Sequence, residues 1–480
     1  MTPMTTLAQV CAMLPTSSLV NISMEAAKEV SITRVGTDSR QIDTGELFVA
    51  LVGERFDAHD FLSDVTYSGA SAALVSNISK CPKDFPAVCV DDTRTSLGEL
   101  AKTWRRQFDI PLAVVTGSNG KTTVKEMIAG IFKAAVGEGH ALVTQGNLNN
   151  DIGLPLTVLK LRSSDHLAVV ELGMNHPGET AILADIAKPT IALINNAQRE
   201  HQEFMATVSA VAQEHADVIR ALPQEGIAVF PADSEFTPVW REAAAKRVVM
   251  DFALASEKNN VAASVKGQLL SNGCVELSTD SGSIEIKLNT LGSHNVRNAL
   301  AASAVGLAAG ISLEKIKQGL ESFTPVNGRM QSKNITSNYT LIDDSYNANP
   351  DSVRAAIDAL KQSGNISWLI LGDMGEVGNQ GPEFHREVGA YAAEQGVAKL
   401  FALGEQCQFA IHGFDDANKA NSVQAIHFSD MDSLIAQLRN AVYAQSTCSN
   451  QHLNILVKGS RFMRMERVVQ ALLEEAKTCS

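Results

Sequence analysis

Short apolar runs alternate along this chain with stretches whose apolar positions repeat at helical spacing. Leu112-Ala113-Val114-Val115 is uninterrupted and reads as a buried strand entering a glycine-rich turn. Beyond the turn, Val124, Met127, Ile128, Ile131 and Phe132 fall at i, i+3, i+4, i+7 and i+8, one face of a helix. Leu167–Val170, Ile191–Ile194 and Ile227–Phe230 are further buried runs separated by helical patterns. Strands covered on both faces, joined through helices, predict a parallel sheet. A helix over Thr95–Phe108 precedes the first strand, with Pro111 between them. Ile284, Ile286 and Leu288 alternate with charged residues, which predicts a half-exposed antiparallel strand.

This texture divides the chain into three. Residues 1–92 hold short runs such as Leu47–Leu51 and Ala72–Val75 between turns, a small mixed α/β domain. Residues 93–325 form the central parallel-sheet domain. Residues 326–480 repeat the strand–helix alternation through Thr340–Ile342, Trp368–Leu371, Leu400–Leu403 and Ile455–Val457, which predicts a Rossmann-like doubly wound sheet. There, Asn349 can cap a helix with Pro350 in its first turn, and Val353, Ala356, Ile357 and Leu360 supply its inner face. The predicted class is α/β in three domains, as a length of 480 residues requires more than one.

Composition narrows the function. With 45% apolar and 19% charged residues the chain is too apolar for disorder. A net charge of −13 argues against nucleic acid or an anionic membrane as partner, yet leaves room for a local phosphate pocket. Asn298–Leu313 is uncharged but falls short of the roughly 20 residues of a spanning helix, so it reads as a buried Ala-rich helix without membrane insertion. No Lys or Arg precedes Lys28, so the start lacks a signal peptide's basic region. Seven cysteines without a Cys-x-x-Cys pair fit a reducing cytoplasm, and the absence of any coiled-coil pattern leaves a monomer as the expectation.

The candidate chemistry centres on Thr116-Gly117-Ser118-Asn119-Gly120-Lys121-Thr122-Thr123, between a strand and an amphipathic helix. Glycines let backbone N–H groups turn toward an anion, Lys121 can reach outer phosphates, and Thr122 can ligate Mg²⁺. Gly117 stands four residues before Lys121, two fewer than in the usual phosphate-loop spacing. Glu171 directly follows a buried strand whose end faces the same crevice, where a metal ion would lie. His201 follows the strand Ile191–Ile194; a lone histidine is more often structural, and its place after a parallel strand is what favours ligation. Asn147, Asn149 and Asn150 form a polar cluster that is either a turn or a recognition element for a polar substrate.

Together these residues resemble the Mur ligase family, ATP-dependent amide-forming enzymes of peptidoglycan synthesis. The short phosphate loop carries the resemblance, with Gly146–Pro155, Glu171–Glu179, Asp343–Pro350 and Lys458-Gly459-Ser460-Arg461. It implies ATP and Mg²⁺ as cofactors, and UDP-N-acetylmuramoyl-tripeptide and D-alanyl-D-alanine as substrates. It implies nucleotide contacts from Gly117 to Thr123, from Asn295, and from Arg329 and Asp344 of the closing third domain. Thr122, Glu171 and His201 are the implied metal ligands, and Lys121, Glu171 and His201 the implied catalytic residues. Ser39 and Arg40, in Thr37-Asp38-Ser39-Arg40, are implied on the UDP moiety; by composition they are a surface turn. Asn147, Asn149, Asn150, Asn347, Asn349, Lys458 and Arg461 are implied on the remaining substrate groups. Several members carry a carbamylated lysine beside the second metal; the matching position here is His215, and no lysine occurs between Lys188 and Lys246. Glu200, Glu203, Glu214 or water are the candidates to replace its charge. A folylpolyglutamate synthetase-like ligase, and a nucleotide-dependent binding module without catalysis, stay open as alternatives.

Overall fold

The apolar runs become strands of three main sheets in a computed structural model that describes residues 3–200, 202–205, 207–255, 261–336, 339–362, 364–418, 424–448 and 451–478. The central sheet has six strands, all parallel, in the order Val248–Val249, Ile227–Val229, Ile191–Ile194, Leu112–Thr116, Leu167–Glu171, Ala141–Val143. Leu112–Thr116 comes first in sequence and fourth in space. From it the chain crosses to the edge strand Ala141–Val143, comes back to Leu167–Glu171 between the two, and then winds outward on the other side through Ile191–Ile194, Ile227–Val229 and Val248–Val249. That reversal leaves a crevice at the carboxyl ends of the middle strands, where register sets Glu171 beside Val115 and Ile194 beside Thr116.

Helices cover both faces of this sheet. Lys121–Val136, Ser293–Ala308 and Leu313–Glu321 share one apolar core with Val115, Val169 and Leu193. On the other face, Leu97, Leu100 and Trp104 of the helix Thr93–Arg105 pack with Val114 and Val170, and also with Leu7, Val10 and Leu47 of the N-terminal domain. The N-terminal sheet runs Ser18–Val20, Ala87–Cys89, Ala72–Val75, Glu46–Val49, Arg34–Gly36, with only the first pair antiparallel. The C-terminal sheet runs Gln331–Thr336, Tyr339–Asp344, Leu453–Lys458, Ile366–Gly372, Lys399–Leu403, Gln424–Phe428, again with only the first pair antiparallel.

The structure differs from the sequence pattern in local ways. The predicted helix Thr95–Phe108 starts earlier, at Thr93, because the Asp92 carboxylate accepts the Thr95 N–H at 2.6 Å and caps it, and it ends at Arg105. The uncharged stretch Asn298–Leu313 is not one helix; the helix ends at Ala308, and Leu313 opens the next. The alternating strand is Gly282–Ile286, one of four in a small separate sheet, and Leu288 lies beyond it. The edge strand Gln331–Thr336 has no apolar run to announce it. No described helix is long and apolar enough to cross a membrane.

Two glycines let the helices Gly381–Glu394 and Cys407–Ala417 of the C-terminal domain pack backbone against backbone. A Cβ at Gly389 would meet the Ala410 carbonyl oxygen at 1.9 Å, and one at Gly413 would meet that of Arg386 at 2.0 Å. Both obstacles are backbone, so the helices must separate. Gly389→Ala is expected to cost about 1–3 kcal/mol in denaturant unfolding, the usual penalty of overpacking; an unchanged midpoint would show that the helices can part freely.

Candidate active site

Thr116 ends the first central strand and Lys121 begins the helix that follows. The four residues between them must turn sharply. Gly120 has φ +80°, and a Cβ there would lie 2.6 Å from Asn298 Oδ1 and 2.8 Å from Asn195 Nδ2. Glycine is therefore required on both conformational and steric grounds. Lys121 folds back over the turn. Its Nζ donates to the carbonyls of Gly117 at 2.5 Å and Ser118 at 3.3 Å, and pairs with Glu200 at 3.3 Å.

The segment after Ile191–Ile194 lies beneath this loop and satisfies it. Asn195 Nδ2 and Asn196 Nδ2 donate to the Asn119 carbonyl at 2.8 and 2.9 Å. Asn196 Oδ1 accepts the Asn119 N–H at 2.8 Å, and the Gln198 N–H donates to Ser118 Oγ at 2.8 Å. Asn195 also donates to Asn298, which donates to Asn295. Asn295 in turn spends its Nδ2 on Thr290 and the Leu291 carbonyl, so its amide is already engaged in holding the helix start.

Glu171 is buried at the neighbouring strand end. Asn149 Nδ2 donates to its Oε1 at 2.8 Å, and the Thr144 hydroxyl accepts its backbone N–H at 3.0 Å. Its Oε2 is buried and has no hydrogen-bond partner. An ionised oxygen is costly to leave so, and a hard cation is the partner that fits it. Glu171 and the Thr122 hydroxyl line the same cavity. These oxygen donors suit Mg²⁺. His201 lies outside the described residues. Asp373, His385 and Cys407 also cluster, but His385 accepts the Met374 N–H and meets the Gly381 carbonyl, while Asp373 caps the helix at Cys407, so that group is structural.

His215 is buried in contact with Thr116 Oγ1 at 3.1 Å and Glu200 Oε1 at 3.0 Å. A carboxylate only accepts, so Nε2 carries the hydrogen toward Glu200. Glu200 thereby stands between His215 and Lys121. Glu214 is engaged elsewhere: it accepts the N–H groups of Gly178 and Thr180 at the start of the helix Glu179–Ala187.

The C-terminal domain closes the cavity, whose volume is about 1570 Å³. Arg329 donates to Thr122 Oγ1 at 3.2 Å and stacks 4.1 Å from the Tyr346 ring centroid. Asn349 Nδ2 donates to Asn119 Oδ1 at 2.9 Å, while its own Oδ1 caps the helix Pro350–Gln362 through Ser352. Sheet register pairs Asp344 with Lys458, and their side chains form a buried ion pair of 2.5 Å. Lys458 also donates to the Asn347 carbonyl at 3.0 Å. Lys458 is thus buried and paired, whereas Arg461, which also lines the cavity, is exposed and pairs with Glu466. Asn147, Asn149, Asn150 and Asn347 line the cavity too, and Asn150 doubles as a cap by accepting the Gly153 N–H. Ser39 and Arg40 do not line it. Arg40 lies in an exposed turn, where its guanidinium holds the Asp38 carboxyl down to about 2.

Comparison with known proteins matches the regions that build this cavity. Residues 115–306 match the Mur ligase middle domain, and residues 328–461 match the family described as Mur ligase, glutamate ligase domain. The chain is 38% identical to the UDP-N-acetylmuramoyl-tripeptide–D-alanyl-D-alanine ligase of Escherichia coli K12, covering 96% of this chain and 98% of that one. The chain belongs to the Mur ligase family. The enzyme of the same name from Bacillus subtilis is 31% identical, over 93% and 94% of the two chains. A crystal structure of MurF from Acinetobacter baumannii superposes with a TM-score of 0.86 at 33% identity, covering 98% of this chain and 99% of that one.

Within this Mur ligase the sequence reading missed the polar floor of the loop. Asn195, Asn196 and Gln198 were visible only as a polar run after a strand, and their partners are separated from them by about eighty residues. Thr116 opens the phosphate-loop motif and His215 stands at the position matched to the modified lysine, but nothing in their spacing showed that the two side chains meet. His215→Ala removes a buried bridge between Thr116 and Glu200. It is expected to destabilise the protein by about 1–3 kcal/mol in urea unfolding, the cost of breaking buried hydrogen bonds; an unchanged unfolding midpoint would contradict the buried bridge.

Proposed function

We propose that this Mur ligase is the ATP-dependent enzyme that joins D-alanyl-D-alanine to UDP-N-acetylmuramoyl-tripeptide, as a cytoplasmic monomer. The observation that carries the reading is convergence. The phosphate loop, the unpartnered Glu171 oxygen and the C-terminal residues Asn349 and Lys458 face one cavity. Similarity to enzymes of that name spans 96% of the chain, so it takes in the first domain, which a folylpolyglutamate-type ligase would not need.

The reaction divides into two transfers. The tripeptide's terminal carboxylate attacks the γ-phosphorus of ATP, giving an acyl-phosphate and ADP. The dipeptide amine then attacks the acyl carbon, and inorganic phosphate leaves. The backbone N–H groups of residues 117–122 and the helix start bind the phosphates. Lys121 exchanges its loop carbonyls and Glu200 for the outer phosphates, where its charge is worth most as negative charge develops. Thr122 and Glu171, with His201 as a further candidate, would hold Mg²⁺, which when bound neutralises the transferring phosphoryl group. Arg329 braces Thr122 from the other domain. Closing the C-terminal domain over the cavity excludes water from the acyl-phosphate.

Purified protein with ATP, Mg²⁺ and UDP-N-acetylmuramoyl-tripeptide should release phosphate only when D-alanyl-D-alanine is added, with a UDP-linked pentapeptide seen by mass spectrometry. Phosphate release indifferent to the dipeptide would overturn the reading. Lys121→Ala should lower kcat by about 10²–10³-fold, as loss of one transition-state charge contact does. Glu171→Gln should raise the Mg²⁺ concentration at half-maximal rate, checked by a metal titration.

A further inference from the structure

Four polar side chains between residues 195 and 200 face the phosphate loop: Asn195, Asn196, Gln198 and Glu200. Arg199 turns the opposite way and enters the C-terminal domain. Its backbone N–H donates to Asp351 Oδ2 at 2.9 Å, and its Nη2 donates to Asp351 Oδ1 at 2.6 Å. Nη1 and Nη2 also donate to the two oxygens of Glu387 at 2.7 and 3.0 Å. The guanidinium lies 5.2 Å from the Phe384 ring centroid, and Arg354 donates to Glu387 at 2.8 Å. Exposed single ion pairs contribute little. This one is a fork shared between two carboxylates, with only 21% of the arginine side chain exposed.

The placement of Asp351 gives the pair its meaning. It stands in the first turn of the helix Pro350–Gln362, two residues after Asn349, which holds Asn119 of the phosphate loop. One helix start thus grips both the loop and the segment beneath it. The neighbour of Arg199 is Glu200, the carboxylate that meets Lys121 and His215.

We propose that Arg199 is a positioning residue: Asp351 and Glu387 hold it, and through it set Glu200 against Lys121, so that the phosphate site is completed only when the C-terminal domain is seated. With the domain swung away, Arg199 loses both carboxylates, and the 198–200 segment is held only from within the central domain, through Ser118, Asn119, Lys121 and His215. Nucleotide affinity then depends on domain seating, and by linkage bound nucleotide favours the seated state. The inference rests on the ATP-dependent reading above.

The test is titration of full-length wild type, Arg199→Met, Asp351→Asn and the double variant with a non-hydrolysable ATP analogue and Mg²⁺, alongside small-angle scattering with and without the analogue. Each single variant should bind the analogue about tenfold more weakly, and the double no more weakly than Arg199→Met. The analogue should compact the wild type and not Arg199→Met. Arg199→Lys should recover only part of the affinity, because one ammonium cannot span two carboxylates. If Arg199→Met does not fold by circular dichroism, Asp351→Asn and Arg199→Lys carry the same comparison. Affinities within twofold of wild type, or additive losses, would overturn the proposal. Wild type that binds no analogue would instead sink the ATP-dependent reading itself.

Discussion

A backbone that turns its N–H groups toward an anion turns carbonyls inward, and buried carbonyls must be satisfied from beneath. In this chain that requirement falls on Gly117, Ser118 and Asn119. Asparagines at 195 and 196 donate to the Asn119 carbonyl, and Lys121 covers the other two. The loop therefore cannot be understood as a local motif. Its shape depends on the next strand over, and through Asn349 on another domain. The short spacing between Gly117 and Lys121 tightens that dependence, since a Cβ at Gly117 would already lie 3.0 Å from the Asn196 nitrogen.

The same economy governs the charges. Lys121, Lys458 and Arg199 each have carboxylate partners in the protein before any substrate enters. Buried charges are held this way because an isolated one costs several kcal/mol. The consequence is orientation: Asp344 fixes Lys458 at the cavity wall, and Glu200 fixes Lys121 over its loop. Glu171 Oε2 is the contrasting atom, buried and without a partner, and the oxygen best placed to take a cation. At the position that the resemblance matched to a modified lysine, His215 meets the Glu200 carboxylate at 3.0 Å.

The sheets were legible because parallel strands buried on both faces spell continuous apolar runs, and Leu112–Thr116, Ile191–Ile194 and Lys399–Leu403 all coincide with such runs. The phosphate loop was legible because glycine, lysine and threonine crowd one short stretch. The edge strand Gln331–Thr336 was not, since an edge strand needs no apolar face on both sides. Partnerships across the fold were equally hidden. Asn119 with Asn349, or Arg199 with Asp351, join residues far apart in sequence and of types common on any surface. Asn295, which the family resemblance implied on the nucleotide, lines the cavity while its amide is bonded to Thr290, Leu291 and Asn298, partners that no spacing in the sequence announced.

The phosphate loop and the C-terminal domain meet as one structure, joined at Asn119 and Asn349. A double-mutant cycle of Asn119→Ala and Asn349→Ala, read as kcat/KM for dipeptide addition, tests it most directly. The two positions should couple by about 0.5–3 kcal/mol, as residues in one hydrogen-bonded network do. Losses that add to within about 0.5 kcal/mol would show that the two domains act on the substrates independently.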